Sequence, residues 1–209
     1  MIADLILVRH AESENAARGM TGGWTDLPLT AGGILQAERT GAAVAAETQG
    51  RDIRLISSDL ARARQTAEIV SRHLGVPAAL AAALRDLNNG LAKDKTLAEA
   101  ERLALPATRP LLDWVPYPGA ESWRAMATRA MGFLETAAAA HDGSLLIVSH
   151  GNAMIPMVHW WLALGEEHWS RVSFEFDVAS ITLLRENQWG ERVIARLNDT
   201  SHLKALERE

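Results

Sequence analysis

The chain has 209 residues, of which 48% are hydrophobic, enough for one domain with a sizeable core. Its formal net charge of -5, without a block of lysine and arginine, excludes nucleic acid as an expected partner, and the absence of cysteine excludes disulfides and thiolate catalysis. Because no segment approaches the ~20 uncharged apolar residues of a membrane span, and no basic leader precedes the first apolar run, we expect a cytoplasmic protein with no membrane partner.

Apolar runs and helically spaced apolar residues alternate along the first part of the chain. Residues 5–8 are all aliphatic, as in a strand that is buried on both faces. Thr30 is suited to cap a helix, and Gly75 before Pro77 is suited to end one. In chain order, the predicted elements are a strand at 4–9, a loop at 10–29, a helix at 30–48, a strand at 53–57, a helix at 59–73 and a short strand at 76–80.

Residues 86–121 are less regular and are interrupted by several prolines, which is typical of a lid-like excursion from a sheet. The elements predicted within and after it are helices at about 96–103, 122–140 and 152–164, and strands at 144–148, 172–176, 180–185 and 191–197. This alternation predicts an α/β fold. We expect a three-layer α/β/α sandwich with a mostly parallel central sheet, formed by residues 1–209 as one domain.

Two histidines directly follow predicted buried strands: His10 after the first strand, and His150 after the strand at 144–148. In open α/β sheets the ligand crevice lies at the carboxyl ends of the strands, so both histidines can meet there. Arg9 beside His10 favours chemistry on an anion. The alternative is that each histidine has only a structural hydrogen bond. A metal site is disfavoured, because no third ligand occurs at a recognisable spacing.

Five motifs occur in order along the chain, and together they cover nearly all of it. They are Arg9-His10-Ala11-Glu12 with Asn15, Thr21-Gly22-Gly23-Trp24, the run from Ser57 to Ala67, Gly119-Ala120-Glu121-Ser122, and Val148-Ser149-His150-Gly151-Asn152. This ordered set resembles the histidine phosphatase superfamily, in its phosphoglycerate-mutase-like branch. The resemblance implies phosphoryl-transfer chemistry on histidine, with no metal and no cofactor.

The resemblance also implies roles for the charged residues. His10 would be the nucleophile and would carry a covalent phosphoryl group, with a loop carbonyl fixing its tautomer. Arg9 and Arg62 would bind the transferring phosphoryl group, and His150 would donate a hydrogen bond to it, better as an imidazolium. Arg62 matches the motif, whereas Arg64, two positions later on the predicted helix, must point elsewhere.

The proton donor for the leaving oxygen is expected at Asp86, four residues before Gly90, where the family has a glutamate. Aspartate is one methylene shorter, which could reshape the pocket. The alternatives are that Glu12 or Glu14 in the first loop supplies the proton, and that Asp86 is an ordinary surface residue.

Four further residues are candidates for binding phosphate. Asn15 could donate its amide, Thr21 its hydroxyl and Gly22 its backbone N–H, and Gly151 would allow a close backbone approach. For the first three the alternative is ordinary turn chemistry. The additional glycine at Gly23 leaves the register of this loop open.

The leading interpretation is a phosphomonoester hydrolase that acts on a small phosphorylated metabolite. One alternative is a cofactor-dependent phosphoglycerate mutase, although lysine and arginine are sparse between residues 86 and 120. The other is a phospho-ligand-binding regulatory protein with little turnover, kept open by Ala11 and Asp86, where the family has glycine and glutamate. An apolar patch after His150 is read as core or as the face of a homodimer; its members are Met157, Trp160, Trp161 and Trp169.

Overall fold

The computed structural model describes residues 2–204. Its strands are β1 (Asp4–Arg9), β2 (Ile53–Ser57), β3 (Ala78–Leu80), β4 (Ser144–Ser149), β5 (Ile181–Glu186) and β6 (Arg192–Asp199). They form one six-stranded sheet in the order β3-β2-β4-β1-β5-β6. The first four strands in this order are parallel, whereas β5 is antiparallel to both of its neighbours. The mostly parallel sheet is therefore confirmed.

The α-helices are α1 (Glu14–Ala17), α2 (Ala31–Glu47), α3 (Ala61–Leu74), α4 (Leu97–Glu101), α5 (Trp123–Ala139) and α6 (Gly151–Trp161). Side-chain caps begin two of the long helices. Thr30 accepts a hydrogen bond from the N–H of Gly33, and Ser122 accepts one from that of Ala125. Among the described residues, no helix is long and apolar enough to cross a membrane.

The two faces of the sheet are covered by different helices. Successive side chains of a strand point to opposite faces. Leu5 and Leu7 of β1 therefore pack in a cluster with α5 and α6, whereas Ile6 and Val8 pack with α2 and α3. Burial on both faces explains why the strand is aliphatic throughout. The three-layer α/β/α arrangement is confirmed.

Three details of the predicted elements are wrong. No strand forms at 172–176, where side chains instead of a neighbouring strand contact two carbonyls: His159 contacts that of Val172, and Arg9 donates to that of Phe176. The loop at 10–29 contains the short helix α1. The helix predicted to reach residue 164 ends at Trp161, close before Ala163, which has a φ of 53°.

The excursion at 86–121 packs on the loop that follows β1. The N–H of Thr21 donates to the carbonyl of Lys95 at 2.9 Å, and that of Leu97 donates to the carbonyl of Gly19 at 3.0 Å. The excursion adds no strand to the sheet and contains α4 together with short 3-10 turns. It therefore lies beside the carboxyl ends of the strands, and its action as a lid stays a prediction.

The apolar patch after His150 mainly belongs to the core. Met157 and Trp161 are buried in the cluster of α5 and α6, and Trp160 packs at its edge. Trp169 contacts Trp123 edge to face, with ring centroids 5.7 Å apart. The side chains of this patch are thus largely used inside one chain.

Candidate active site

Parallel pairing of β1 with β4 brings the two predicted site histidines together. Arg9 at the end of β1 is in register with Ser149 at the end of β4. The next residues, His10 and His150, therefore emerge side by side, with ring centroids 5.0 Å apart. Both are buried, with exposures of 6% and 0%. The two imidazoles thus lie next to each other in a buried position at the carboxyl edge of the sheet.

His10 has a defined tautomer. Its Nδ1 lies 2.8 Å from the carbonyl oxygen of Ala11, which can only accept, so Nδ1 carries the proton. Its Nε2 accepts a hydrogen bond from Nε of Arg62 at 3.1 Å. Burial, and next the charge of Arg62, lower the pKa of His10 well below its usual value. At neutral pH the ring is therefore neutral, with its lone pair on Nε2.

Arg62 lies in the first turn of α3 and is 2% exposed. Its two terminal nitrogens donate to the carbonyls of Gly23 at 2.7 Å and Thr25 at 2.8 Å. Arg64 points away from the site and pairs with Glu68 at 3.0 Å on the surface. The structure therefore places Arg62, and not Arg64, against the histidines.

Arg9 lies beside the same pair of histidines. Its guanidinium binds the carbonyl of Phe176, and its Nε has no hydrogen-bond partner among residues 2–204. The backbone of Gly151, at the start of α6, passes close to this guanidinium: a Cβ there would lie 3.7 Å from it. Arg9 thus brings a fixed positive charge and an unpaired donor to the site.

His150 is neutral rather than an imidazolium. The hydroxyl of Ser58 accepts from the N–H of Leu60 and lies 2.9 Å from Nε2 of His150, so it can donate to that nitrogen. With Ser58 as that donor, the proton of His150 is on Nδ1, which has no partner within the described chain. Burial, and next the charge of Arg62, lower the pKa of His150 well below its usual value. His150 therefore has an unpaired Nδ1, which is a donor when the hydroxyl of Ser58 donates to Nε2.

Asp86 reaches the same cleft from the start of the excursion. One carboxylate oxygen accepts from the backbone N–H of Leu87 at 2.9 Å and from the amide of Asn152 at 3.1 Å. The other lies 3.9 Å from a terminal nitrogen of Arg62. The carboxylate is thus held with one oxygen directed towards the arginine that contacts His10.

The two alternative acids are placed differently. Glu12 lines the cleft but accepts a hydrogen bond from the hydroxyl of Thr30 at 2.9 Å. Glu14 pairs with Arg18 at 3.0 Å. Of these three carboxylates, Asp86 is therefore the one that lies against Arg62, the arginine that contacts His10.

Two cavities adjoin this cluster, with volumes of about 370 and 320 Å³. Both are lined by Arg9, His10 and Asp86. The first extends past Gly151 towards residues 174–177, and the second extends past Arg62 towards Met20 and Leu97. Together they form one cleft with His10 where they meet, whereas the fully buried His150 packs against His10 and lines neither cavity.

The polar groups of the loop after β1 are used to shape that loop. The amide of Asn15 donates to the carbonyls of Thr21 at 2.9 Å and Thr25 at 3.4 Å, and the hydroxyl of Thr21 lies 2.8 Å from the carbonyl of Ala92. Asn15 and Gly22 line the smaller cavity, whereas Thr21 does not. The structure therefore brings Asn15 and Gly22 to the cleft and leaves Thr21 behind it.

Gly23 is the loop position at which glycine is required. Its φ is +59°, and a Cβ there would lie 2.7 Å from the carbonyl oxygen of Leu87. Its own carbonyl binds Arg62. Sequence reasoning also missed Ser58 and Asn152, the partners of His150 and Asp86, although both stand within the quoted motifs.

Within residues 2–204, no group of three or more acidic, histidine or cysteine side chains is arranged to hold a metal ion. The positive charge at the cleft comes instead from Arg9 and Arg62, which both line it. Arginine forks match the oxygens of a phosphoryl group.

The buried histidines predict how stability depends on pH. Their folded-state pKa values are lowered, so the unfolded chain takes up protons first as the pH falls below about 6.5. Each histidine should then cost up to about 1.4 kcal/mol of unfolding free energy per pH unit. Urea unfolding between pH 7.5 and 5 should show a shallower loss for His150→Asn than for the wild type. Equal pH dependence in the two proteins would contradict the buried neutral state.

The chain is similar to known proteins in sequence and in fold. In sequence, the chain is 31% identical over 207 residues to a probable phosphoglycerate mutase GpmB from Salmonella paratyphi C, covering 95% of this chain and 94% of that protein. In structure, it resembles a mycobacterial glucosyl-3-phosphoglycerate phosphatase, Rv2419c, with a TM-score of 0.78, 22% identity, and coverage of 95% of this chain and 100% of that one.

The fold of the alpha-ribazole phosphatase from Shigella flexneri is similarly close, with a TM-score of 0.78, 22% identity, and coverage of 94% of this chain and 96% of that one. A family model described as histidine phosphatase superfamily (branch 1) matches residues 5–200. Because this match includes both strand-end histidines, both arginines of the cleft and nearly the whole sheet, the chain belongs to branch 1 of the histidine phosphatase superfamily.

Proposed function

We propose that the protein hydrolyses phosphomonoesters of small metabolites through a phosphohistidine formed on His10. The observation that carries this proposal is the pair of adjacent buried imidazoles: Nδ1 of His10 donates to the carbonyl of Ala11, which leaves the lone pair on Nε2, and Nδ1 of His150 has no partner within the described chain. Arg9 adds a second unpaired donor beside them. One nucleophile surrounded by fixed donors suits a phosphoryl group, whose transition state spreads charge over three equatorial oxygens.

In the first step, Nε2 of His10 attacks phosphorus while the bond between phosphorus and the leaving oxygen breaks. Nε of Arg62 gives up its hydrogen bond to Nε2, and the guanidinium then binds a phosphoryl oxygen. The carbonyl of Ala11 accepts from Nδ1–H and so stabilises the positive charge that develops on the ring. His150 and Arg9 supply the remaining donors to the phosphoryl oxygens.

Asp86 handles the proton in both steps. As a carboxylic acid it protonates the leaving oxygen. The resulting carboxylate then takes a proton from water, whose oxygen attacks phosphorus. The P–N bond breaks, its electron pair returns to Nε2, and inorganic phosphate leaves.

The charges of the cleft favour hydrolysis over the mutase reaction. Its cationic side chains, among the described residues, are Arg9 and Arg62, which the transferring phosphoryl group occupies. The remaining charged side chains that line it are acidic: Glu12, Asp86, Glu175 and Asp177. A second phosphate or a carboxylate on the substrate would meet these acids without a free cation. The mutase stays the second candidate because the relative at 31% identity bears that name.

Further parts of the proposal stay predictions. The reaction is expected to need no metal, because the two guanidiniums supply the positive charge. A binding protein with little turnover stays the third interpretation. The cytoplasmic location and a homodimer also stay predictions.

Replacing His10 by alanine should lower phosphate release from p-nitrophenyl phosphate by at least about a thousandfold, because the nucleophile is lost. The assay contains EDTA, and His168→Ala, a substitution beside Glu167 at the surface, is the control. Turnover by His10→Ala near that of the wild type would refute the nucleophile. Conversion of 3- to 2-phosphoglycerate that depends on added 2,3-bisphosphoglycerate, without hydrolysis, would assign the mutase. No turnover of any substrate by the wild type would favour the binding protein.

Arg62→Ala should lower kcat/KM by about a hundredfold or more, since one fixed cation of the transition state is removed. Arg64→Ala should leave it within about twofold, because that side chain pairs with Glu68 at the surface. Steady-state kinetics on p-nitrophenyl phosphate compare the two, and thermal unfolding shows whether each variant is folded. Similar losses in both folded variants would contradict the geometry.

Asp86→Asn should reduce kcat/KM for glycerol 2-phosphate by about 100-fold or more, and much less for p-nitrophenyl phosphate. The nitrophenolate leaving group scarcely needs a proton, whereas an alkoxide does. The ratio kcat/KM is the quantity to compare, because it reports the first phosphoryl transfer. An equal loss on both substrates would argue against Asp86 as the leaving-group acid.

A further inference from the structure

The backbone that leads to Asp86 is held by side chains rather than by the sheet. We call residues 83–90 the acid loop. Four consecutive carbonyls at its start, those of residues 83–86, each accept a hydrogen bond from a side chain. Ser149 at the end of β4 binds the carbonyl of Leu84 at 2.8 Å. Arg129 binds the other three, and the indole N–H of Trp24 also donates to the carbonyl of Asp86 at 2.8 Å.

The guanidinium of Arg129 spans the acid loop. One terminal nitrogen donates to the carbonyls of Ala83 at 2.7 Å and Arg85 at 3.1 Å. The other donates to the carbonyl of Asp86 at 3.2 Å. The side chain is 23% exposed, so these bonds are partly shielded from water.

Glu121 completes the arrangement and fixes the far side of Asp86. Its carboxylate lies 2.5 Å from a terminal nitrogen of Arg129. The same carboxylate oxygen accepts from the backbone N–H of Asn88 at 2.8 Å. Arg129 thus holds the main chain up to the carbonyl of Asp86, and Glu121 holds it after Asp86, at the N–H of Asn88.

The helix that carries Arg129 is a firm support. The helix α5 buries Met126, Ala127, Ala130 and Leu134 in the core. Arg129 lies between these positions, so its Cα is fixed by the packing on both sides. The hydrogen bonds of Arg129 therefore hold the acid loop in a fixed position relative to the core.

We propose that Arg129, with Glu121, is a positioning residue for Asp86 and sets the reach of its carboxyl to the leaving oxygen. This inference rests on the proposed hydrolase function. Aspartate has a short side chain, so its reach depends on where the backbone is held. A shift of about 1 Å in such a group can cost about a hundredfold in rate. Neither residue touches the cavities that surround His10.

Arg129→Met, which keeps the stem but loses the donors, is the variant to test. It should lower kcat/KM for glycerol 2-phosphate by about 10- to 100-fold, and that for p-nitrophenyl phosphate by less than about threefold. In the Asp86→Asn background the same substitution should cause little further loss on glycerol 2-phosphate, because the acid is already absent. Arg124→Met is the matched control: this arginine is on the same helix and pairs with Asp113 and Glu166, away from the acid loop.

Equal losses of Arg129→Met on the two substrates, no loss on either, or full additivity with Asp86→Asn would overturn the positioning role. If Arg129→Met does not fold, Arg129→Lys, which keeps the charge but cannot span three carbonyls, is put to the same comparisons. Hydrogen exchange at the amides of Leu87 and Asn88 gives a readout independent of activity. It should rise in the Arg129 variant and not in Arg124→Met. A wild type without turnover but with this rise would refute the hydrolase function while leaving intact the role of Arg129 in holding the acid loop; an unchanged exchange rate would refute that role.

Discussion

Parallel pairing of β1 with β4 is the constraint on which the site depends. Both strands are buried on both faces, so slippage by one residue would move each aliphatic side chain to the wrong helix layer. The register that places Arg9 opposite Ser149 is therefore set by the core. It is this register that puts His10 and His150 side by side where the strands end. The positions of His10 and His150 are thus a consequence of the hydrophobic packing of the two strands that precede them.

The electrostatics of the cleft follow from bringing two imidazoles and two guanidiniums into one enclosed place. Burial and the neighbouring positive charge of Arg62 both disfavour a protonated histidine, so both rings are neutral. In the proposed mechanism the neutral His10 is the nucleophile, and the neutral His150 donates its N–H to the phosphoryl group. The same positive field would stabilise a phosphoryl group on arrival. The charges that keep the histidines neutral are therefore also the ones that, in the proposed function, bind the phosphoryl group.

Arginine also serves a second purpose around this cleft, because three arginines bind main-chain carbonyls of irregular segments. Arg62 holds those of Gly23 and Thr25, Arg9 holds that of Phe176, and Arg129 holds three in the acid loop. These segments have no strand or helix partner to satisfy their carbonyls at these points. The donor-rich guanidinium is suited to this use, since it can bind several acceptors at once. Removing such an arginine would therefore move a loop as well as remove a charge.

The sequence by itself determined the sheet and the helices on both faces, because aliphatic runs and helical spacing reflect burial that is local in the chain. It also determined which histidines and arginines stand at strand and helix ends, since strands in such sheets end at the crevice. Only the tertiary structure decided the partners across long separations: Ser58 for His150, Asn152 for Asp86 and Arg129 for the acid loop. It also decided that residues 172–176 form no strand, although their pattern resembles one. A local pattern records how polar each position is, whereas the acceptor that a side chain finds depends on how the whole chain packs.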